Sequence, residues 1–215
     1  MSLKAYANLE YPYAQSIEGL YYRQRASGVD ASVVFPFTPD LYFDLAGVVR
    51  SELVPANPPL SEAPYALENR LVMQEVFLFC PEWSNRFLPF VSMDPGRAVG
   101  EQLAALEALA EEYPIYGVKI SPIFCQSPIT ALLSEGRPLV EWASERDLGF
   151  LLHISADPDE AYSQVRATFD LTQQFPETRF CLAHCATFDK WVLEAAGAAP
   201  NVWVDTAAPK TQVQA

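Results

Sequence analysis

The sequence predicts an α/β fold built from successive βα units. Short β-branched or aromatic runs alternate with helical patterns, which is the signature of βα units rather than of a sandwich or a bundle. From the second run onward the run centres lie about 29, 33, 30 and 22 residues apart, close to the roughly 30-residue βαβ repeat. Several runs, such as Val33-Val34-Phe35 and Phe150-Leu151-Leu152, are apolar almost throughout, as parallel strands buried on both faces should be. A chain of 215 residues, half of them apolar, is read as a single domain over residues 1–215 with a sizeable core. It is shorter than the roughly 250 residues of a complete eightfold α/β barrel.

The first strand is expected at Ala31 to Phe37. A Pro-rich insertion from about Asp40 to Ala66, with Pro55, Pro58, Pro59 and Pro64, stretches the first step to about 55 residues. A helix from about Pro64 to Cys80 then leads to a strand at Arg86 to Ser92. Asp94-Pro95-Gly96 opens the next helix, in which Val99, Leu103, Leu106 and Leu109 recur at three- and four-residue spacing and Glu101, Glu107, Glu111 and Glu112 lie largely opposite. The third strand falls at Tyr116 to Ser121, a helix at about Arg137 to Arg146, and the fourth strand at Gly149 to Ile154. Asp157 and Asp159 lead into a helix with Ala161, Val165 and Phe169 on one stripe, ending before Pro176. The last two strands are expected at Arg179 to His184 and Asn201 to Asp205.

Composition narrows the class of partner. Fourteen basic against 27 acidic side chains give a net charge of −13, which repels phosphate backbones and anionic lipid surfaces, so neither nucleic acid nor a membrane is the expected partner. A small-molecule substrate is. The apolar stretches fall short of the roughly 18 to 20 residues that span a bilayer. Four cysteines do not make a disulfide framework, and no secretory pattern follows Met1, so free thiols and a cytoplasmic location are expected. Tyr11, Tyr13, Tyr21 and Tyr22 would serve a homodimer interface or the core, with the core the expected place.

Chemistry concentrates at strand ends. The chain's two histidines, His153 and His184, each close a predicted strand at its carboxyl end, where the βα loops of parallel folds open and catalytic side chains project. Lys119 lies inside an otherwise apolar strand and shares a face with Gly117 and Ser121; such a lysine is paired, deprotonated or modified if buried, and otherwise snorkels to solvent. Asp205 ends the sixth run, as a functional carboxylate or a turn carboxylate. Cys181, His184 and Cys185 suggest a zinc site by residue type, yet in an extended strand the two cysteines and the histidine lie on opposite faces. Phosphate-loop, dinucleotide and serine-hydrolase signatures are absent.

Six motifs in order carry a family resemblance. Gly28-Val29-Asp30-Ala31-Ser32-Val33-Val34, Asn85 through Pro95, Gly117-Val118-Lys119-Ile120, Leu151-Leu152-His153, Arg179 through His184 and Asn201 through Thr206 resemble the second to seventh strands of the amidohydrolase-related metal-dependent hydrolases, including their aminocarboxymuconate semialdehyde decarboxylase-like branch. The resemblance implies a TIM-like (β/α)8 barrel, incomplete at both ends in this chain, with a divalent metal, most often zinc, at the carboxyl ends of the strands. It implies His153 as a metal ligand, His184 as a ligand or as the base that orients the attacking water, Lys119 lining the same site and Asp205 nearby. Two departures stand out. The family opens with a His-x-His pair, whereas the corresponding Ser2 to Asn8 has no histidine; it closes with an aspartate after an eighth strand, whereas ten residues follow Asp205. The function implied is metal-dependent hydrolysis of a small carboxylated or lactone-like substrate. Decarboxylation on the same scaffold, or a non-catalytic relative without the metal site, are the alternatives.

Overall fold

The structure, a computed structural model, describes residues 16–207 apart from positions 51, 156 and 158. Its centre is one six-stranded sheet in the order β1 (Ser32–Val34), β2 (Phe87–Met93), β3 (Gly117–Ile120), β4 (Phe150–Leu152), β5 (Phe180–Leu182) and β6 (Val202–Val204). Every neighbouring pair is parallel, and spatial order equals chain order. That is the strand order of a βα barrel opened along one seam, and among the described residues β1 and β6 do not pair with each other. All six strands lie within or across the predicted runs; most are shorter, because the carboxyl ends leave the sheet to build loops.

Register explains which side chains are buried. Val91, Val118, Phe150, Phe180 and Val202 form one row across the sheet, and Met93, Ile120, Leu152, Leu182 and Val204 form another. Both rows face the helices and belong to the main core cluster, except that Val204 is partly buried and packs against it. The alternate row, Ser92, Lys119, Leu151, Cys181 and Trp203, points to the opposite, concave face. That face is open, with Val33 40% and Trp203 51% exposed.

The helices are α1 (Ile17–Ser27), α2 (Leu45–Val49), α3 (Ala66–Gln74), α4 (Val99–Glu112), the single turn α5 (Pro122–Cys125), α6 (Arg137–Glu145), α7 (Val165–Thr172) and α8 (Lys190–Ala198). α1, not anticipated from the sequence, starts where the Ser16 side chain accepts from the Gly19 amide and stops where Gly28 takes φ 67°. Its Tyr21 stacks on Trp83 with ring centroids 4.3 Å apart. Tyr22, expected in the core, is instead 58% exposed, and Tyr11 and Tyr13 lie outside the described residues. α3 continues through a π-helical stretch, Glu75–Phe79, so the helix predicted to Cys80 is realised with a change of winding. In α4, Leu106 and Leu109 are buried while the four glutamates face out.

α7 corrects one expectation. The helix begins at Val165 rather than just after Asp159, because the Glu160 carboxylate takes the amides of Tyr162 and Ser163 and the Ser163 hydroxyl. Residues 160–164 are thereby held in a loop, with the Tyr162 carbonyl accepting from the Ile129 amide. Among its described residues the Asp40–Ala66 insertion holds α2, an isolated bridge between Phe43 and Pro55 and, at Ala66, the start of α3. Among the described residues no helix is long and apolar enough to cross a membrane.

Candidate functional site

The carboxyl ends of β3 to β6 join three of the four predicted site residues in a chain, with His184 touching both His153 and Asp205, and hold the fourth, Lys119, one strand away. The His153 amide donates to the Ile120 carbonyl at 2.9 Å, which turns the chain out of the sheet at the end of β4. The His184 amide donates to Asp205 Oδ1 at 2.8 Å, and the Ala207 amide donates to the same oxygen at 3.0 Å. Asp205 thus ties the turn after β5 to the segment after β6. It accepts from backbone, not from an imidazole.

The two imidazoles meet at the mouth. His184 Nε2 and His153 Nδ1 are 3.0 Å apart, with the rings at 81°. His184 Nδ1 lies 2.6 Å from the Ala207 carbonyl oxygen, which can only accept, so Nδ1 carries the hydrogen. In neutral His184 the Nε2 lone pair then accepts from His153 Nδ1–H, and the nitrogen left with a free lone pair is His153 Nε2. Burial pushes the His153 pKa down to about 3, helped by the neighbouring positive charge of Lys119 and by His184. His153 is therefore neutral at neutral pH. Phe124, whose ring centroid is 5.9 Å from that of His153, supplies part of the apolar wall.

Lys119 stands one register row deeper, in β3. It is 5% exposed, so it does not snorkel to solvent. Its Nζ donates to the carbonyl oxygens of Ile120 at 3.0 Å and Leu151 at 3.5 Å, and lies 5.7 Å from the centre of the Phe35 ring. No carboxylate stands within ion-pair distance of it among the described residues. Burial lowers its pKa to about 7, while the more distant charge of Asp205 pulls the other way. Ser121, two residues on, is a site feature that sequence reasoning named only as a face neighbour. Its hydroxyl is buried without a hydrogen-bond partner among the described residues. A same-face polar residue beside a buried lysine was the signal available.

His184 opens an unusual turn. From His184 to Phe188 five consecutive non-glycine residues have φ between 48° and 60°. β5 has ended at Leu182, so strand alternation does not extend to His184 and Cys185, and the face argument made for them does not apply. The cysteines are free, Cys181 lies half-buried on the concave face with its thiol pushed up to about 11 by burial, and no group of three or more His, Cys, Asp or Glu side chains converges among the described residues.

That last fact decides how far the donors suit a metal. Two nitrogens on one tetrahedral zinc stand about 3.3 Å apart when each bond is about 2.0–2.1 Å, so the histidine pair is spaced nearly as two ligands would be. A catalytic zinc, however, takes three protein ligands in most enzymes. The described residues supply two, and a buried lysine close by disfavours a cation. They do not form a complete metal site.

A family profile described as Amidohydrolase matches residues 10–214. No curated protein matches the chain. A crystal structure of an uncharacterised TIM-barrel protein from Bordetella bronchiseptica resembles it with a TM-score of 0.60 and 13% identity. The match covers 93% of this chain and 64% of that one, so the chain spans less than two thirds of that barrel's length. The fold is thus an α/β barrel of the TIM type, with six parallel strands among the described residues.

Proposed function

The chain belongs to the amidohydrolase family, whose members are generally metal-dependent, and on that footing we propose that it hydrolyses a small carboxylated or lactone-like substrate at the His153–His184 pair. The carrying observation is the pair itself: two imidazoles from adjacent strands, 3.0 Å apart at the carboxyl mouth of the sheet, one of them fixed in its tautomer by a backbone carbonyl. A proton accepted from water at one ring can pass along the hydrogen bond to the other, so the pair acts as general base and then as general acid. Water meets the pair at His153 Nε2, the nitrogen with the free lone pair, and the His153 Nδ1 hydrogen then passes on to His184 Nε2. Lys119 faces the same site and attracts the substrate's carboxylate or developing oxyanion. Asp205 acts through the turn it braces, as a positioning residue. Zinc at His153 and His184 needs a third donor from outside the described residues, so no step here runs through an ion.

The test is turnover of a panel of small lactones and carboxylate-bearing amides by the purified chain. His184→Ala should lower kcat/KM by about 10²–10⁴-fold, the usual worth of a positioned general base. Unchanged turnover in that variant overturns the assignment. The two-donor set favours one other reading, a non-catalytic relative whose open mouth binds rather than reacts. That reading expects no turnover on the whole panel, and less than one zinc per chain after dialysis against zinc; stoichiometric zinc that is lost in His153→Ala overturns it.

A further inference from the structure

An apolar strip stays uncovered where α3 gives way to its π-helical continuation. Val76 there is buried, whereas the next turn leaves Leu78 60% and Phe79 67% exposed. The chain then folds back at Cys80, with the Trp83 amide donating to the Cys80 carbonyl at 3.1 Å. The Trp83 ring stacks on Tyr21 and stands edge-on to the exposed Tyr22, centroids 5.9 Å apart. Leu78, Phe79, Trp83 and Tyr22 thus follow one another from the π-helical stretch to α1. Single exposed apolar side chains are ordinary, but a run of them marks a contact surface.

Carboxylates rim this strip. Glu75 of the π-helical stretch, Glu82 of the Pro81–Arg86 turn and Glu18 of α1 lie around Cys80, and their charge adds to burial in pushing its thiol up. Among the described residues none of the three has an ion-pair partner. Glu75 accepts from the Ile17 amide, Arg86 donates to the Asp30 carbonyl, and Arg23 and Arg25 of α1 pair with no carboxylate. Three unneutralised charges beside apolar surface, on a chain of net charge −13, suit a partner of the opposite sign. A second copy docked symmetrically would set the same carboxylates against each other, so like charge disfavours that occupant.

We propose that the Leu78–Phe79–Trp83–Tyr22 strip docks a cationic amphipathic helix of a partner protein, with leucine or phenylalanine on one face and lysine or arginine along its flanks. The apolar face covers Phe79, Leu78 and Tyr22, while the flanking cations meet Glu18, Glu75 and Glu82. A lysine or arginine over the exposed Tyr22 ring adds a cation–π contact. The turn that carries Trp83 leads into the amino end of β2, whereas His153 and His184 stand at the carboxyl ends of β4 and β5. Docking therefore goes beyond hydrolysis and does not depend on it.

The test titrates a labelled helical peptide of leucine and lysine into the full chain and reads fluorescence anisotropy. One control peptide has serine in place of leucine, and another has glutamate in place of lysine. The leucine–lysine peptide should bind at least about tenfold more tightly than either, and weaken by a similar factor between about 0.05 M and about 0.5 M salt. Glu18→Lys combined with Glu82→Lys, both at exposed positions, should keep the melting temperature, weaken that peptide about tenfold and strengthen the leucine–glutamate one. Bound peptide should also shield Cys80 from a maleimide, while Cys181 on the concave face reacts at an unchanged rate. Equal binding of all three peptides, binding that leaves Cys80 unshielded, or no binding overturns the proposal. So does a dimer in sedimentation that Phe79→Ser turns into a monomer, since the strip then belongs to a second copy. Affinity and thiol shielding are read rather than turnover, so failure of the hydrolytic reading and failure of this one are told apart.

Discussion

Lys119 couples protonation to folding. Its pKa falls from 10.5 to about 7 in the folded chain, so between those values the unfolded state binds more protons and stability rises with pH. Below about 7 both states are charged and the full burial cost, on the order of 5 kcal/mol, is present; it fades as pH climbs towards 10.5. Lys119→Met removes the cost while filling the same space. Urea unfolding should therefore find Lys119→Met more stable than wild type at pH 6, with the gap narrowing towards pH 10. A gap that is flat with pH would mean that the ammonium is paired in the fold. His153 has the same sign at lower pH: its pKa of about 3 makes the folded state lose stability as pH falls through the range between 6.5 and 3. Replacing His153 with glutamine, which keeps a hydrogen-bonding side chain but cannot titrate, should flatten that part of the stability curve.

At the scale of elements, the turn that carries His184 is the strained one. A non-glycine residue in the left-handed region is disfavoured by roughly 1–2 kcal/mol, and glycine's extra freedom in the unfolded chain gives back about 0.5–1. Cys185→Gly and Thr187→Gly, at φ 52° and 54°, should each raise stability by a net of about 0.5–1 kcal/mol, read from thermal or urea unfolding. Destabilisation in both would argue that the turn is held some other way. Such strain is retained where the surroundings impose it, here by Asp205 and by the Cys185 amide donating to the Asp205 carbonyl. The opposite change fails at Gly117: a Cβ there would stand 2.5 Å from the Phe90 ring on the neighbouring strand, so Gly117→Ala should lower the melting temperature by several degrees. These elements also mark what could be read beforehand. β-strand positions were legible because the rows facing the helices demand apolar residues at every second position, and His153 and His184 were legible because a chain with only two histidines put both at strand ends. The late start of α7 and the left-handed turn were not, because each depends on a carboxylate distant or ambiguous in sequence, Glu160 for one and Asp205 for the other. The missing partner of Ser121 is a property of three-dimensional surroundings and leaves no trace in a string of residues.

The whole molecule is two-sided. One face of the sheet is buried under α4, α6, α7 and α8, and the other keeps a row of mixed character, from Ser92 through Lys119 to Trp203. In a closed barrel that row would be interior. Here it opens onto solvent near β6, while Lys119 in mid-sheet stays covered, so burial falls off from the centre of the sheet towards its last strand. This gradient gives the chain a built-in optical reporter. Of its four tryptophans only Trp203 lines the concavity, and at 51% exposure its indole emits as a wet fluorophore. Anything that settles on the concave face dries that ring, so occupancy should shift the emission to the blue in the intact chain, and Trp203→Phe should abolish the shift while leaving the light from the other three unchanged.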